Sequence, residues 1–247
     1  MPRFDSNAME DHQIGGSRYG FSAKRIEDLG ASEYTLVTLV VDVSSSVSGF
    51  QAAIESCVKE AVKSCRHSPR SDNLLLRLLL FSSNLAEYHG FRPLTECDID
   101  KYNGSIHTGG STALYDACHN AVEATARYGK DLQAQDFQAN AIIIVVTDGE
   151  NNASVMTPGE IKKAVAEAMH AEALESIRTI LVGVNTGGGA LTSYLTDFQN
   201  QAGFDQYVDI TDASDKSLAK LAAFVSKSIS SQSQSLGTGG ASQALAF

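Results

Sequence analysis

Between residues 34 and 230 the spacing of apolar residues switches back and forth between strand-like runs and helix-like stripes, the signature of a chain that alternates β and α elements. Residues 34 to 43 form a nearly continuous β-branched run containing Asp42, the pattern of a strand covered on both faces. From Phe50 the period turns helical, and Phe50, Ile54, Cys57, Val58, Ala61, Val62 and Cys65 share one stripe. Residues 74 to 81 predict a second buried strand. Ser82-Ser83-Asn84, ahead of residues 87 to 94, predicts a turn into an antiparallel edge strand. Leu114, Ala117, Cys118, Ala121, Val122 and Thr125 mark the next helix, with Asp116, His119 and Glu123 on its wet face. Residues 141 to 146 are the most hydrophobic strand of the chain. Thr157-Pro158-Gly159-Glu160 supplies a capping box with proline at the first helical position, opening a helix through about residue 174. A strand over 177 to 184, a helix over 191 to 201 and a short strand over 206 to 210 follow. An amphipathic helix carrying Leu218, Leu221, Ala222, Val225 and Ile229 closes the pattern. One doubly wound α/β sheet of about six strands accounts for everything between 34 and 230.

The two ends lack such periodicity. Residues 1 to 33 are polar and contain glycine, and read as an irregular lead-in. Residues 231 to 247 are rich in serine, glutamine and glycine and read as a disordered tail with an apolar tip, Leu245-Ala246-Phe247.

Composition narrows the function. The 247 residues are 43% hydrophobic, enough for a real core, so disorder as the main state is excluded. Nineteen basic against twenty-nine acidic residues give a net charge of −10, a field that repels nucleic-acid backbones and anionic membrane surfaces. No export signal is evident and no apolar run approaches the ~20 residues needed to cross a bilayer. Cys57, Cys65, Cys97 and Cys118 show no C-x-x-C spacing, and Cys57 and Cys65 fall two helical turns apart, too far to bridge each other. The expectation is a soluble chain in a reducing cytoplasm.

In a doubly wound sheet, functional groups gather at the carboxyl ends of the strands, where helices leaving in opposite directions open a crevice. Three segments end there: Asp42-Val43-Ser44-Ser45-Ser46, Thr108-Gly109-Gly110-Ser111-Thr112 and Thr147-Asp148-Gly149-Glu150. They carry carboxylates at Asp42 and Asp148 and hydroxyls at Ser44, Ser46 and Thr112. Such oxygen-only donors suit magnesium, manganese or calcium, whereas the lack of neighbouring Cys or His donors argues against zinc. Two carboxylates facing each other in a half-buried cleft repel, and a divalent cation cancels their charges. Because hydroxyls donate little charge, a cation held this way stays electrophilic enough to accept a carboxylate from a partner. Singly, each segment is an ordinary turn or cap; it is the three together, in order, that point to a metal site.

These segments, with Thr112 set in Gly-Gly-Ser-Thr-Ala-Leu-Tyr-Asp, resemble the metal-ion-dependent adhesion site of the von Willebrand factor A domain family. The resemblance covers residues 34 to 230. It implies a Rossmann-like, mostly parallel sheet of six strands with one antiparallel edge strand and helices on both faces. It also implies that Ser44, Ser46 and Thr112 are direct or near-direct ligands, with Asp42 and Asp148 binding directly or through water. Ser111, where many relatives continue Gly-Gly-Thr, competes with Thr112 for the third hydroxyl, and the following Ala-Leu-Tyr-Asp favours Thr112.

The function expected is a non-enzymatic module that holds one Mg2+, with Mn2+ or Ca2+ as alternatives, and grasps an Asp or Glu of a protein partner, as an assembly or regulatory subunit. Ser45, Asn84, His107, Glu150 and Asn151 are the candidate rim that sets specificity. A magnesium-dependent hydrolase using the same cluster is the rival. It needs a positioned base and often a second cation or arginine, and the three segments contain no lysine or arginine. A self-assembling scaffold, with an acidic side chain of a neighbouring copy at the metal, is a further alternative. Gly187-Gly188-Gly189 lacks the spacing of a dinucleotide site, and no P-loop sequence is present.

Overall fold

The computed structural model describes residues 9–15, 17–170, 173–240 and 243–247. Its strands are β1 (Met9–His12), β2 (Phe21–Lys24), β3 (Glu33–Asp42), β4 (Leu74–Phe81), β5 (Leu85–Pro93), β6 (Gln138–Thr147), β7 (Ile177–Val184) and β8 (Gln206–Ile210). The α-helices are α1 (Gln51–Arg66), α2 (Leu114–Gln133), α3 (Pro158–His170), α4 (Ala190–Ala202) and α5 (Asp215–Thr238). Among the described residues the strands form one sheet in the order β1-β2-β5-β4-β3-β6-β7-β8. Neighbours from β4 through β8 on the β3 side run parallel, while β5 is antiparallel to β4 and β1 to β2.

The buried strands read as continuous apolar runs because each face meets helices. Leu36, Val40, Ile143 and Val145 face the layer built by α2, α3 and α4. Val37, Leu39, Val41, Ile142 and Ile144 face α1 and α5, whose stripe includes Cys57, Cys65, Leu218 and Val225. Cys57, Cys65, Cys97 and Cys118 are all buried and free. The predicted capping box forms: Thr157 N donates to Glu160 Oε2 (2.8 Å) and Glu160 N to Thr157 Oγ1 (3.4 Å).

The structure corrects three readings. The sheet has eight strands rather than six, because part of the polar lead-in joins it as β1 and β2. Consequently β5 is not an edge: β2 lies parallel to it, with Ala23 opposite Phe91. Gly90 makes this approach possible, since a Cβ there would sit 1.8 Å from the Ser22 carbonyl oxygen. Glu87 fastens the strand, accepting from Ser22 N (2.8 Å) and Ser22 Oγ (2.7 Å) through Oε1.

The serine- and glutamine-rich end is helical to Thr238 rather than disordered from 231. Two of its polar side chains are buried with partners: Gln232 donates to the Ala141 carbonyl (3.0 Å) and to Ser176 Oγ (2.9 Å), and Arg70 Nε donates to Ser233 Oγ (3.0 Å). The apolar tip also packs on the domain. Phe247 meets Phe224 edge-on at 5.5 Å, and Gln206 donates to the Leu245 carbonyl (2.9 Å). Residues 1–8 of the lead-in and 241–242 of the tail lie outside the described residues. Finally, Asp116 is buried rather than on a wet face; Val155 N (2.9 Å) and Met156 N (2.8 Å) both donate to its Oδ1.

Candidate metal centre

β3 has β4 on one side and β6 on the other, and the chain leaves β3 and β6 for helices on opposite faces of the sheet. The crevice expected at this switch point therefore opens between the carboxyl ends of β3 and β6. The register pairs Val41 with Val146, which brings Asp42 and Thr147 side by side.

At that point the backbone and side chains lock together. Ser44 N donates to Asp42 Oδ1 (2.8 Å) and Thr147 Oγ1 to Asp42 Oδ2 (2.6 Å), so both carboxylate oxygens are held by the scaffold. A short 3-10 turn over Ser45–Gly49 then points Ser46 back over Ser44, the two hydroxyl oxygens lying 3.0 Å apart. Ser46 Oγ donates to Asp148 Oδ1 (2.7 Å), closing a chain of oxygens from β3 to β6.

Thr112 enters from the loop before α2. Its N donates to Asn152 Oδ1 (2.7 Å), and its carbonyl accepts from Asn152 N (3.0 Å) and Ala153 N (3.2 Å). A Cβ on Gly149 would stand 3.6 Å from Thr112 Oγ1 and 3.8 Å from Ser46 Oγ, so both hydroxyls flank the same glycine. Ser111 is exposed and its N donates to Ser83 Oγ (2.8 Å); Thr112 is the hydroxyl that lies beside Ser46. Gly110 shapes this loop. It has φ +83°, a Cβ there would be 2.6 Å from Ser83 Oγ, and its carbonyl accepts from Ser45 N (3.1 Å) and Ser45 Oγ (3.0 Å).

All five residues singled out as ligands thus converge. Asp42, Ser44 and Thr112 are buried, Asp148 is half-buried and Ser46 is exposed, which gives the cluster a closed floor and a mouth toward solvent. Burial pushes the Asp42 carboxyl above its ordinary range despite the hydrogen bonds from Thr147 and Ser44. Burial, with the Asp42 charge adding to it, pushes Asp148 up to about 6 against the opposing bond from Ser46. Two carboxylates that resist ionising side by side, surrounded by hydroxyl oxygens, are the environment a divalent cation relieves. Among the described residues no group of three or more His, Cys, Asp and Glu side chains is placed to hold a metal ion. The donor set is therefore hydroxyl and carboxylate oxygen, and it fits a hard cation.

The rim divides. Ser45, His107 and Glu150 are exposed. Asn84 is exposed too, yet its Oδ1 accepts from Arg18 Nη2 and Tyr19 OH (both 3.3 Å). Asn151 is half-buried: its N donates to Tyr194 OH (3.1 Å) and its Oδ1 accepts from Ser154 Oγ. These two amides hold loops in place. Thr147, Gly110 and Asn152 went unnoticed in the sequence as supports of the site. The Gly-Gly pair and the Asn-Asn pair beside the motifs were the available signals.

Fold and cluster together define an α/β domain with a cluster of carboxylate and hydroxyl oxygens at the sheet's switch point. The model of the von Willebrand factor type A domain matches residues 37–227, and the chain belongs to that family of protein-interaction modules. Solved structures of similar fold include the PilB minor pilin from Streptococcus sanguinis, at TM-score 0.59 and 16% identity over 88% of this chain and 66% of that one. The pilus adhesin SpaC from Lactobacillus rhamnosus GG in its open conformation has TM-score 0.58 and 14% identity over 82% of this chain and 30% of that one. Proximal thread matrix protein 1 from the mussel byssus, with a zinc-occupied MIDAS motif, has TM-score 0.53 and 20% identity over 81% of this chain and 46% of that one. The chain thus spans less than two thirds of each of these proteins. No curated protein sequence matches it.

Proposed function

We propose that Asp42, Ser44, Ser46, Thr112 and Asp148 hold one divalent cation, Mg2+ in the first place and Mn2+ or Ca2+ as alternatives, and that the module grips a protein partner through an Asp or Glu side chain. When bound, the cation would supply Lewis acidity toward that carboxylate. The chain's own part is to hold the donors: Thr147 and Ser44 N orient Asp42, Ser46 reaches Asp148, and Asn152 fixes Thr112. The observation that carries this reading is the pair of carboxylates whose charged forms are disfavoured by burial across a bridge of hydroxyls. The zinc in the mussel protein supports a divalent cation at such a site without naming the ion here.

The rim of Ser45, His107 and Glu150 faces the partner, and the negative net charge favours one that is basic around its carboxylate. The four buried thiols suit a reducing, cytoplasmic setting; no described helix is long and apolar enough to cross a membrane. We read the module's role as assembly or regulatory, in keeping with the interaction-module family. The pilin and adhesin likenesses keep self-association in view, as a neighbouring copy also offers carboxylates. For hydrolysis the site would need a base, and His107 is exposed with no bond to the cluster among the described residues.

The test is calorimetric titration with Mg2+, Mn2+ and Ca2+, followed by capture from native lysate with magnesium and with chelator. Metal binding that disappears in Asp42→Ala, and partners lost on chelation, support the reading. Unchanged metal affinity in Asp42→Ala, or capture indifferent to chelator, refutes it. Light scattering that grows on adding magnesium identifies the partner as a second copy.

A further inference from the structure

We infer that the pocket at Asp116 and His119, built by Ser17–Tyr19, the first turns of α2 and the Val155-Met156 step, receives one large apolar side chain of the partner segment whose carboxylate reaches the metal. This inference rests on the metal-bridged reading above and names the partner's chemistry: an acidic residue followed or preceded, two or three positions away, by Leu, Ile, Met or Phe.

The pocket has a volume near 230 Å³ and is lined by Ser17, Arg18, Tyr19, Asp116, His119, Val155 and Met156. It is preformed. Asp116 Oδ1 accepts from Val155 N (2.9 Å) and Met156 N (2.8 Å), while Ser154 Oγ accepts from Tyr115 N (3.0 Å) and Asp116 N (3.1 Å). On the opposite wall, Tyr19 N donates to Ser17 Oγ (3.1 Å) and Arg18 packs on the Tyr19 ring at 4.7 Å. Val155 is 81% exposed, one of two large hydrophobic residues so exposed among those described, and nothing in its own hydrogen bonding requires an apolar side chain there.

Two observations tie this pocket to the metal site rather than to an unrelated partner. The first is continuity. The loop from Asp148 to Met156 is fastened along the start of α2, from Thr112 through Tyr115 to Asp116, so one rigid rim carries both the ligand hydroxyl and the pocket wall. Asp116 and His119 follow Thr112 by four and seven residues and lie in the first two turns of α2, which begins at Leu114, so they are spread over about 3 to 8 Å of its axis. An extended peptide covers that span in about two or three residues. The second is charge. Arg18 lies at the pocket wall with its guanidinium on the neutral Asn84 amide, and among the described residues no carboxylate pairs with it. In a chain of net charge −10, that places a local positive group where the partner's single carboxylate would cross the rim.

The probes are two immobilised peptides, Gly-Ser-Asp-Gly-Leu-Ser-Gly and the same sequence with Ser in place of Leu, titrated with full-length protein in magnesium and in chelator. In magnesium the Leu peptide should bind at least about tenfold more tightly, the scale set by burying one such side chain. Val155→Glu, at an exposed position where folding is undisturbed, should erase the difference, Val155→Leu should keep it, and Arg18→Glu should weaken the Leu peptide. Equal, magnesium-dependent binding of both peptides overturns the pocket and leaves the metal bridge standing. A Leu preference that persists in chelator supports the pocket and overturns the bridge. Binding of neither peptide overturns both.

Discussion

Two polar clusters are buried in the same sheet, and they differ in how their charge is balanced. On β4 and β5, Arg77 is fully enclosed, and it meets Glu87 Oε2 at 2.6 Å and Asn120 Oδ1 at 2.8 Å while its guanidinium lies 5.9 Å from the Phe21 and Phe91 rings. Glu87 in turn holds Ser22 of β2. Cation and anion cancel inside the protein, and the lead-in strand seals them. At the ends of β3 and β6, two carboxylates share a cleft with hydroxyls, and among the described residues no basic side chain forms an ion pair with either. The first pair balances its charge inside the fold, although Arg77 Nη1 is buried without a hydrogen-bond partner among the described residues; the second, under the reading proposed above, is balanced by a bound cation.

Four changes break or sharpen that contrast. The largest effect belongs to Glu87→Ala, which strands a buried guanidinium and releases β2. Stability should fall by about 3–5 kcal/mol, lowering the melting temperature on the order of 10 °C, with metal affinity retained; a drop under 1 kcal/mol would show the pair to be dispensable.

Next comes the metal increment. Magnesium at about 100 times its Kd should add about 2.7 kcal/mol to wild-type stability. Asp148→Asn should lose that increment while being no less stable than wild type in chelator, because it removes one of two opposed charges. Thermal melts with and without magnesium decide it, and an increment that survives the substitution would detach Asp148 from the site.

Gly110→Ala should cost about 1–2 kcal/mol, since the residue is left-handed and a Cβ there meets Ser83 Oγ. It should weaken metal binding as well, because the same loop carries Thr112. Calorimetry on the folded variant separates the two effects.

The smallest effect is the pH dependence set by Asp148. Its folded carboxyl titrates at about 6, above its ordinary 3.8. As pH rises through that window the unfolded chain gives up the proton first, so the group's contribution to stability falls in chelator. Saturating magnesium should reverse the slope, because the ion binds the deprotonated carboxylate. Denaturant midpoints from pH 4 to 7 measure both, and Asp148→Asn should flatten this part of the chelator curve.

What the sequence alone determined follows from repetition and chemistry. The strands over 74 to 81 and 177 to 184 and the α1 stripe from Ile54 to Cys65 were legible because burial on fixed faces imposes a period. The clustering of Asp42, Ser44, Ser46, Thr112 and Asp148 was legible because their segments fall at the carboxyl ends of strands or just before a helix, where a doubly wound sheet gathers its loops. Tertiary structure decided the remainder. Phe21–Lys24 carries no period of its own and becomes a strand because Gly90 and Glu87 offer it an edge, and Met9–His12 then pairs with it. The serines and glutamines after 230 stay helical because Ala141, Ser176 and Arg70 supply partners distant in the chain. Asp116 turns inward because the Val155 and Met156 amides arrive from another loop. A side chain's own character sets a period or a donor; whether a polar group is buried depends on a partner that only folding brings to it.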